Sequence, residues 1–233
     1  MLSAPYTKSM DTSSRPIRIL VNRVQEIHTA PRADGFPYWM HPLRCHNFLL
    51  AIWKDASFES EIAMLFHDTL EDIEDGEAII KDVLDVSQRA WPELDKAKTY
   101  KLIQDLTAPQ NVPKAQSIYQ VEQRFREQQV EPEAYLLKAI DMMDNTSDLI
   151  SFYHKLPGHK EIRKHMNLQR LQKYSGYYDA IRAGRQKDMD VVDEKRSAME
   201  KALDYVLHTV KCNLQSMKTI INPVDVNSNK RGF

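Results

Sequence analysis

The sequence predicts an all-α fold. Three observations carry this expectation: only six glycines stand among 233 residues, apolar residues recur every three or four positions over long stretches, and short strand-like apolar/polar alternations are scarce. A chain of this length can bury a core as one large domain or two small ones.

Taken in order, residues 1–15 are expected as a flexible leader rich in Ser and Thr. A first helix follows Pro16, with Ile17, Leu20, Val21, Val24 and Ile27 on one face. The stretch "HTAPRADGFPY" (28–38) contains two prolines and a glycine and is predicted as a loop. Pro42 suits the first helical position, which makes His41 the expected cap of a second helix through Phe48, Leu49 and Ile52. A third helix is expected over about 58–73, with Ile62, Leu65, Phe66 and Leu70 as its apolar side. Shorter helices follow over about 76–86 and 91–106, and "TAPQNVP" (107–113) is a loop. Further helices are expected over about 114–128, 132–152, 160–183 and 188–215. Residues 16–152 thus read as the main helical domain, 153–220 as C-terminal helices packed on or extending it, and 221–233 as a polar tail.

Composition narrows the function classes. Charged residues make up 28% of the chain but cancel to a net charge of −1, which gives no bulk electrostatic reason to expect nucleic acid or an anionic membrane as partner. Cys45 and Cys212 form no spaced pair, so reduced thiols in a cytoplasmic protein are the expectation. The stretch "MLSAPYTKSMDTSS" lacks signal-peptide character, and the longest apolar run, around Phe48 to Trp53, is too short to cross a bilayer.

Ionisable chemistry gathers in four stretches: "PRADGFPY" (31–38), "YWMHP" (38–42), "FHDTLED" (66–72) and "LLKAIDMMDN" (136–145). On a continuous helix His67 would sit above Glu71 and Asp68 above Asp72, so all four could line a broad polar patch. Asp141 would share a face with Lys138 and Asn145. Burying such groups beside apolar faces is costly unless a cation compensates. Two histidines with two carboxylates make a mixed N/O set suited to Mn, Fe or Zn and poor for Ca. Water on such an ion becomes a nucleophile near neutral pH, and a carboxylate not used as a ligand can orient or deprotonate it.

Each signal alone has an ordinary explanation: His41 as a helix cap, Asp141 as the ion-pair partner of Lys138, Glu71 and Asp72 as a solvated acidic run. Their order and spacing together are what point to a metal site. His154, His159 and His165, five and six residues apart, are expected at the surface. Tyr174, Tyr177 and Tyr178, with Leu168 and Leu171, are expected to pack the C-terminal helices. No glycine-rich phosphate loop or G-x-S-x-G elbow is present.

The order His41, His67-Asp68, Glu71-Asp72, Asp141 resembles that of the HD-domain metal-dependent phosphohydrolases. The surrounding words are similar to those of the RelA/SpoT-type alarmone hydrolases, the small stand-alone ones included. The pattern G-x-P-Y-x-x-H-P occurs here as Gly35 to Pro42, A-x-L-x-H-D-x-x-E-D as Ala63 to Asp72, and K-x-x-D-x-x-x-N as Lys138 to Asn145. The resemblance covers roughly residues 16–152. It implies an HD-domain helical fold with an additional C-terminal helical segment. It also implies one divalent ion, commonly manganese, held by His41, His67, Asp68 and Asp141. Glu71 and Asp72 would act on the attacking water, and Arg32, Lys138 and Asn145 would serve the substrate, Arg32 lying against the purine base. The implied reaction is hydrolysis of the 3′-pyrophosphate of a guanosine or adenosine tetra- or pentaphosphate, the (p)ppGpp and (p)ppApp alarmones of the stringent response, with release of pyrophosphate.

Three basic positions of that family are filled differently here: Ala33 and then Asp34 continue the loop, Met142 follows the distal aspartate, and Ser147 follows Asn145 by two. Lys114, Arg124 and Arg126 are candidates to compensate, against their ordinary reading as a solvated basic face. The alternative substrate reading is a broader nucleotidase, phosphodiesterase or NADPH phosphatase of the same superfamily. The alternative class is a non-catalytic nucleotide-binding or partner-binding module. The C-terminal helices, through positions such as Val206, Leu207 and Val210, are candidate homo-oligomer contacts.

Overall fold

In the computed structural model the chain forms α1 (Ser14–Ile27), α2 (Met40–Ile52), α3 (Phe58–Phe66), α4 (Thr69–Asp72), α5 (Gly76–Ala90), α6 (Lys96–Leu106), α7 (Lys114–Arg126), α8 (Pro132–Lys155), α9 (Leu168–Arg185) and α10 (Glu194–Ile221). The structure describes residues 14–32, 35–155, 165–185 and 194–221, with the backbone alone for 14–16 and 194–197. Among these residues there is no strand; an isolated bridge between Pro31 and Pro37 closes the loop before α2. The fold is all-α. The expected leader, the polar tail, His159, Ala33 and Asp34, and the expected helix starts at 160 and 188 lie outside the described residues, save the ends that α1 and α10 include.

Local chemistry sets the element boundaries. The Ser57 hydroxyl accepts from the Ser60 amide (3.2 Å) at the start of α3, and the Asp95 carboxylate accepts from the Lys98 amide (2.9 Å) at the start of α6. Two expectations are corrected. His41 is not a helix cap: α2 begins one residue earlier, and His41 lies in its first turn with 1% exposure. The helix expected over 58–73 is interrupted at His67-Asp68, which separates α3 from α4. The reason is a competing hydrogen bond. His67 Nδ1 donates to the Met64 carbonyl (2.8 Å), an acceptor that an unbroken helix gives to the amide of residue 68. The chain then turns again as the Asp68 carbonyl accepts from the Glu71 and Asp72 amides (3.1 and 2.9 Å).

Helix α8 organises the interior. Leu136, Leu137, Ala139, Ile140 and Met142 are all fully buried, so this helix needs neighbours on every side. It packs against α2, α3, α6, α9 and α10. Val206, Leu207 and Val210 of α10 are buried in the common core, and Asn213 Nδ2 donates to Thr146 Oγ1 and Ser147 Oγ of α8 (2.9 Å each). No described helix is long and apolar enough to cross a membrane.

Helix α9 approaches α7 closely, and Gly184 makes that approach possible. A methyl group there would stand 2.0 Å from the Phe125 carbonyl oxygen and 2.6 Å from the Tyr135 hydroxyl. At Gly176 the same methyl would meet only the Glu122 carboxylate, the mobile end of a side chain. Gly184→Ala should therefore destabilise the fold by about 1–3 kcal/mol through overpacking, while Gly176→Ala costs less. Thermal unfolding followed by circular dichroism checks the ranking.

Candidate metal centre

Helices α2, α3, α4 and α8 bring four ligand-type side chains to one point. His41 Nε2 lies 3.2 Å from His67 Nε2, 3.5 Å from Asp68 Oδ2 and 3.3 Å from Asp141 Oδ1. His67 Nε2 lies 3.2 Å from Asp68 Oδ1 and 3.7 Å from Asp141 Oδ1. Both rings are 1% exposed. His41, His67 and Asp68 form a group that could hold a metal ion, and Asp141 closes it from the α8 side.

The remaining hydrogen bonds decide which way the rings present themselves. The Met64 carbonyl can only accept, so His67 carries its hydrogen on Nδ1. The Asp144 carboxylate, 2.7 Å from His41 Nδ1, imposes the same tautomer there. Neutral His41 and His67 thus aim two Nε2 lone pairs at each other, flanked by two carboxylates. While the rings are neutral, every group facing the centre is an acceptor. Lone pairs and carboxylates packed this closely repel one another, and a cation relieves the conflict. The donor set is two imidazole nitrogens and two carboxylates, which fits a divalent transition metal. The surroundings also favour positive charge on the rings. Burial presses His67 towards neutrality, but Asp68 and Asp141 outweigh it and hold its pKa above the ordinary imidazole value. Burial opposes the charge on Asp141, and Lys138 with the two histidines holds it far below the usual carboxylate range.

Further contacts fix these groups. Asn145 Nδ2 donates to Asp141 Oδ1 (2.6 Å), and Lys138 Nζ donates to Asp141 Oδ2 (2.9 Å) and the Leu106 carbonyl (3.1 Å). The Tyr38 hydroxyl donates to Asp68 Oδ2 (2.9 Å), and its ring stacks on His28 at 5.4 Å. Tyr38 is the tyrosine of the G-x-P-Y-x-x-H-P pattern, whereas no motif letter marks His28, Asp144 or Arg44. Asp144 and Arg44 each stand three residues after an expected ligand, Asp141 and His41, and that spacing was their only local signal.

The centre opens into a cleft of about 830 Å³. Glu71 and Asp72 line it beside Asp68, on the exposed side of α4. Burial, with the nearby Asp68 charge, pushes the Asp72 carboxyl up to about 6, although much of its side chain still meets solvent. Helix α9 contributes Arg170, Lys173, Tyr174 and Tyr177 to the cleft lining, with His165 just before that helix and Lys114 and Glu122 from α7. The two tyrosines therefore do more than pack: both are buried in the core and also face the cleft. His165, expected at the surface, is part of its lining; His154 is exposed.

The expected substrate residues fall into two groups. Lys138 and Asn145 line the cleft. Arg32 lies beside them, but its guanidinium is engaged: Nη2 donates to Asn145 Oδ1 (3.2 Å) and lies 3.5 Å from Asp148, and Nη1 lies 3.9 Å from Asp144. Of the three candidate compensating cations, Lys114 lines the cleft. Arg124 instead donates to the Gln104 and Thr107 carbonyls (3.0 and 2.7 Å), anchoring the loop that holds α4. Arg126 is absent from the lining.

No family model matches the chain, and no curated protein matches it. Functional assignment therefore stands on the site itself.

Metal binding is directly measurable. Protein stripped with chelator should take up one Mn2+ per chain, read by loss of the free-ion electron paramagnetic resonance signal. Metal at about one hundred times Kd should add about 2.7 kcal/mol of stability. Asp141→Ala should abolish both effects.

Proposed function

We propose that the protein is a divalent-metal-dependent phosphohydrolase acting on a small phosphorylated nucleotide, with the 3′-pyrophosphate of a (p)ppGpp-type molecule as the favoured substrate. One observation carries the reading: four ligand-type groups converge beside a nucleotide-sized cleft that Asp68 and Asp141 line together with the carboxylates of Glu71 and Asp72 and the cations of Lys114, Arg170 and Lys173.

His41, His67, Asp68 and Asp141 would hold the ion, with Mn2+ favoured and Fe2+ or Zn2+ compatible with the same donors. When bound, a divalent ion supplies Lewis acidity towards a phosphoryl oxygen and acidifies adjacent water. The chain's own groups supply the rest. Asp72, whose carboxyl burial and the Asp68 charge push up, is suited to take a proton from the attacking water, and Glu71 beside it to orient that water. The water oxygen adds to the phosphorus that carries the 3′ oxygen, and the bond between that phosphorus and the 3′ oxygen breaks. The 3′ oxygen takes up the proton given by the water and becomes a hydroxyl, and pyrophosphate is released. Lys138 fixes Asp141, and Lys114, Arg170 and Lys173 offer charge to the substrate's phosphates.

Two of the three substituted positions, Met142 and Ser147, are among the described residues. Met142 is fully buried in the core, and Ser147 accepts from Asn213 of α10. The positions after Asp141 and Asn145 thus serve packing, while α9 carries cations in the cleft. The engagement of Arg32 by Asp144, Asp148 and Asn145 favours a second reading within the same class: another phosphorylated nucleotide, an NADPH-type 2′-phosphate included.

A substrate panel with Mn2+ separates these readings. Release of pyrophosphate from guanosine tetraphosphate that stops with chelator or with Asp68→Ala is the expected result; turnover of other nucleotides alone selects the second reading, and no metal-dependent turnover refutes both. Asp72→Asn should lower kcat by roughly 10²–10⁴-fold. Replacing Arg170 and Lys173 together by alanine should raise KM more than it lowers kcat.

A further inference from the structure

We infer that Asp144, clamped by Arg44, is a positioning residue that fixes the tautomer of His41 and thereby sets how strongly the centre binds metal. The inference rests on the metal-centre reading above but concerns residues to which the sequence motifs assign no role.

Helix α8 addresses both nitrogens of one imidazole. Asp141 Oδ1 stands 3.3 Å from His41 Nε2, and Asp144 Oδ2, three residues on, stands 2.7 Å from Nδ1. The ring is held between two carboxylates of the same helix, one turn apart. A carboxylate can only accept, so Nδ1 carries the hydrogen, and in the neutral ring Nε2 is left with its lone pair towards the centre. Cys45 Sγ is a competing neighbour at 3.7 Å from the same nitrogen. If its thiol donated instead, an Nδ1 lone pair would face a carboxylate at 2.7 Å, and the repulsion decides against that arrangement.

Asp144 is itself held in place. Arg44 Nε donates to Oδ1 and Arg44 Nη2 to Oδ2, each at 2.8 Å, a two-pronged contact that fixes the carboxylate plane. Arg44 Nη2 also pairs with Asp148, one turn further along α8. The clamp repeats one interval on both helices: Arg44 follows His41 by three on α2, and Asp144 follows Asp141 by three on α8. One face of each helix therefore carries a candidate ligand and its support together. The Asp144 side chain is 13% exposed, so water competes weakly for the carboxylate.

The two histidines become unequal donors. His67 gives its Nδ1 hydrogen to a neutral carbonyl, whereas His41 gives its own to a charged carboxylate. An anionic partner makes the opposite nitrogen more basic, and losing such a partner typically weakens metal binding by roughly 10–100-fold. Asp144→Asn keeps shape and an acceptor oxygen but removes the charge, so it tests the electronic part of the clamp. Arg44→Ala and Arg44→Lys test the geometric part, because lysine restores charge without the two-pronged contact.

The experiment has two readouts on folded protein, with circular dichroism confirming the fold of each variant. The first is Mn2+ affinity from the free-ion resonance signal. The second is the ¹⁵N imidazole spectrum of metal-free wild type at a pH where both rings are neutral. The inference expects the Nδ1–H tautomer at His41 and a roughly 10–100-fold loss of Mn2+ affinity in Asp144→Asn. It also expects a smaller loss in Arg44→Ala that Arg44→Lys partly recovers. An Nε2–H tautomer at His41, or Asp144→Asn and Arg44→Lys both binding Mn2+ within twofold of wild type, overturns it. Wild-type protein that binds no Mn2+ overturns the metal-centre reading instead, and the tautomer then decides the positioning role by itself.

Discussion

Two imidazole nitrogens face each other at 3.2 Å between two carboxylates, and nothing in that ring of four can donate while the imidazoles are neutral. Such a centre cannot be stable inside an apolar fold without positive charge. Much of the surrounding structure reads as an answer to that constraint. Lys138 and Asn145 hold the oxygens of Asp141, Tyr38 holds Asp68, and Asp144 and the Met64 carbonyl turn the two rings inward.

The same constraint explains why the helices are cut where they are. An unbroken helix over 58–73 would place His67 and Asp68 in register with Glu71 and Asp72 on one polar face. The break separates them: His67 and its neighbour turn to the centre, while Glu71 and Asp72 stay at the mouth of the cleft. The break is made by His67 itself, whose ring takes the Met64 carbonyl. One side chain thus ends the helix and fixes its own orientation.

The C-terminal helices belong to the site as well as to the core. Helix α10 is keyed to α8 through Asn213 and the Thr146 and Ser147 hydroxyls, directly beyond Asn145. Helix α9, kept close to α7 by Gly184, lines the cleft. Their periodicity was legible in the sequence, but their function was not. A run such as Arg170, Lys173, Tyr174 and Tyr177 reads equally as a solvated basic face with a packing stripe behind it, and only the neighbouring helix decides which face looks inward.

By itself the sequence determined the helical class, because apolar spacing and glycine scarcity are local properties. It also offered ligand-type side chains for a metal in His41, His67, Asp68 and Asp141, because the donor chemistry of a side chain is intrinsic. Tertiary structure alone decided that His41 is a buried first-turn residue and not a cap, that Arg32 is engaged by α8, and that Arg124 anchors a loop. It alone decided that Arg44 meets Asp144 across 100 residues of chain. The physical reason is common to all four. A charged side chain's role depends on the partner that meets it, and here that partner comes from a different helix or loop, which spacing along the chain does not encode.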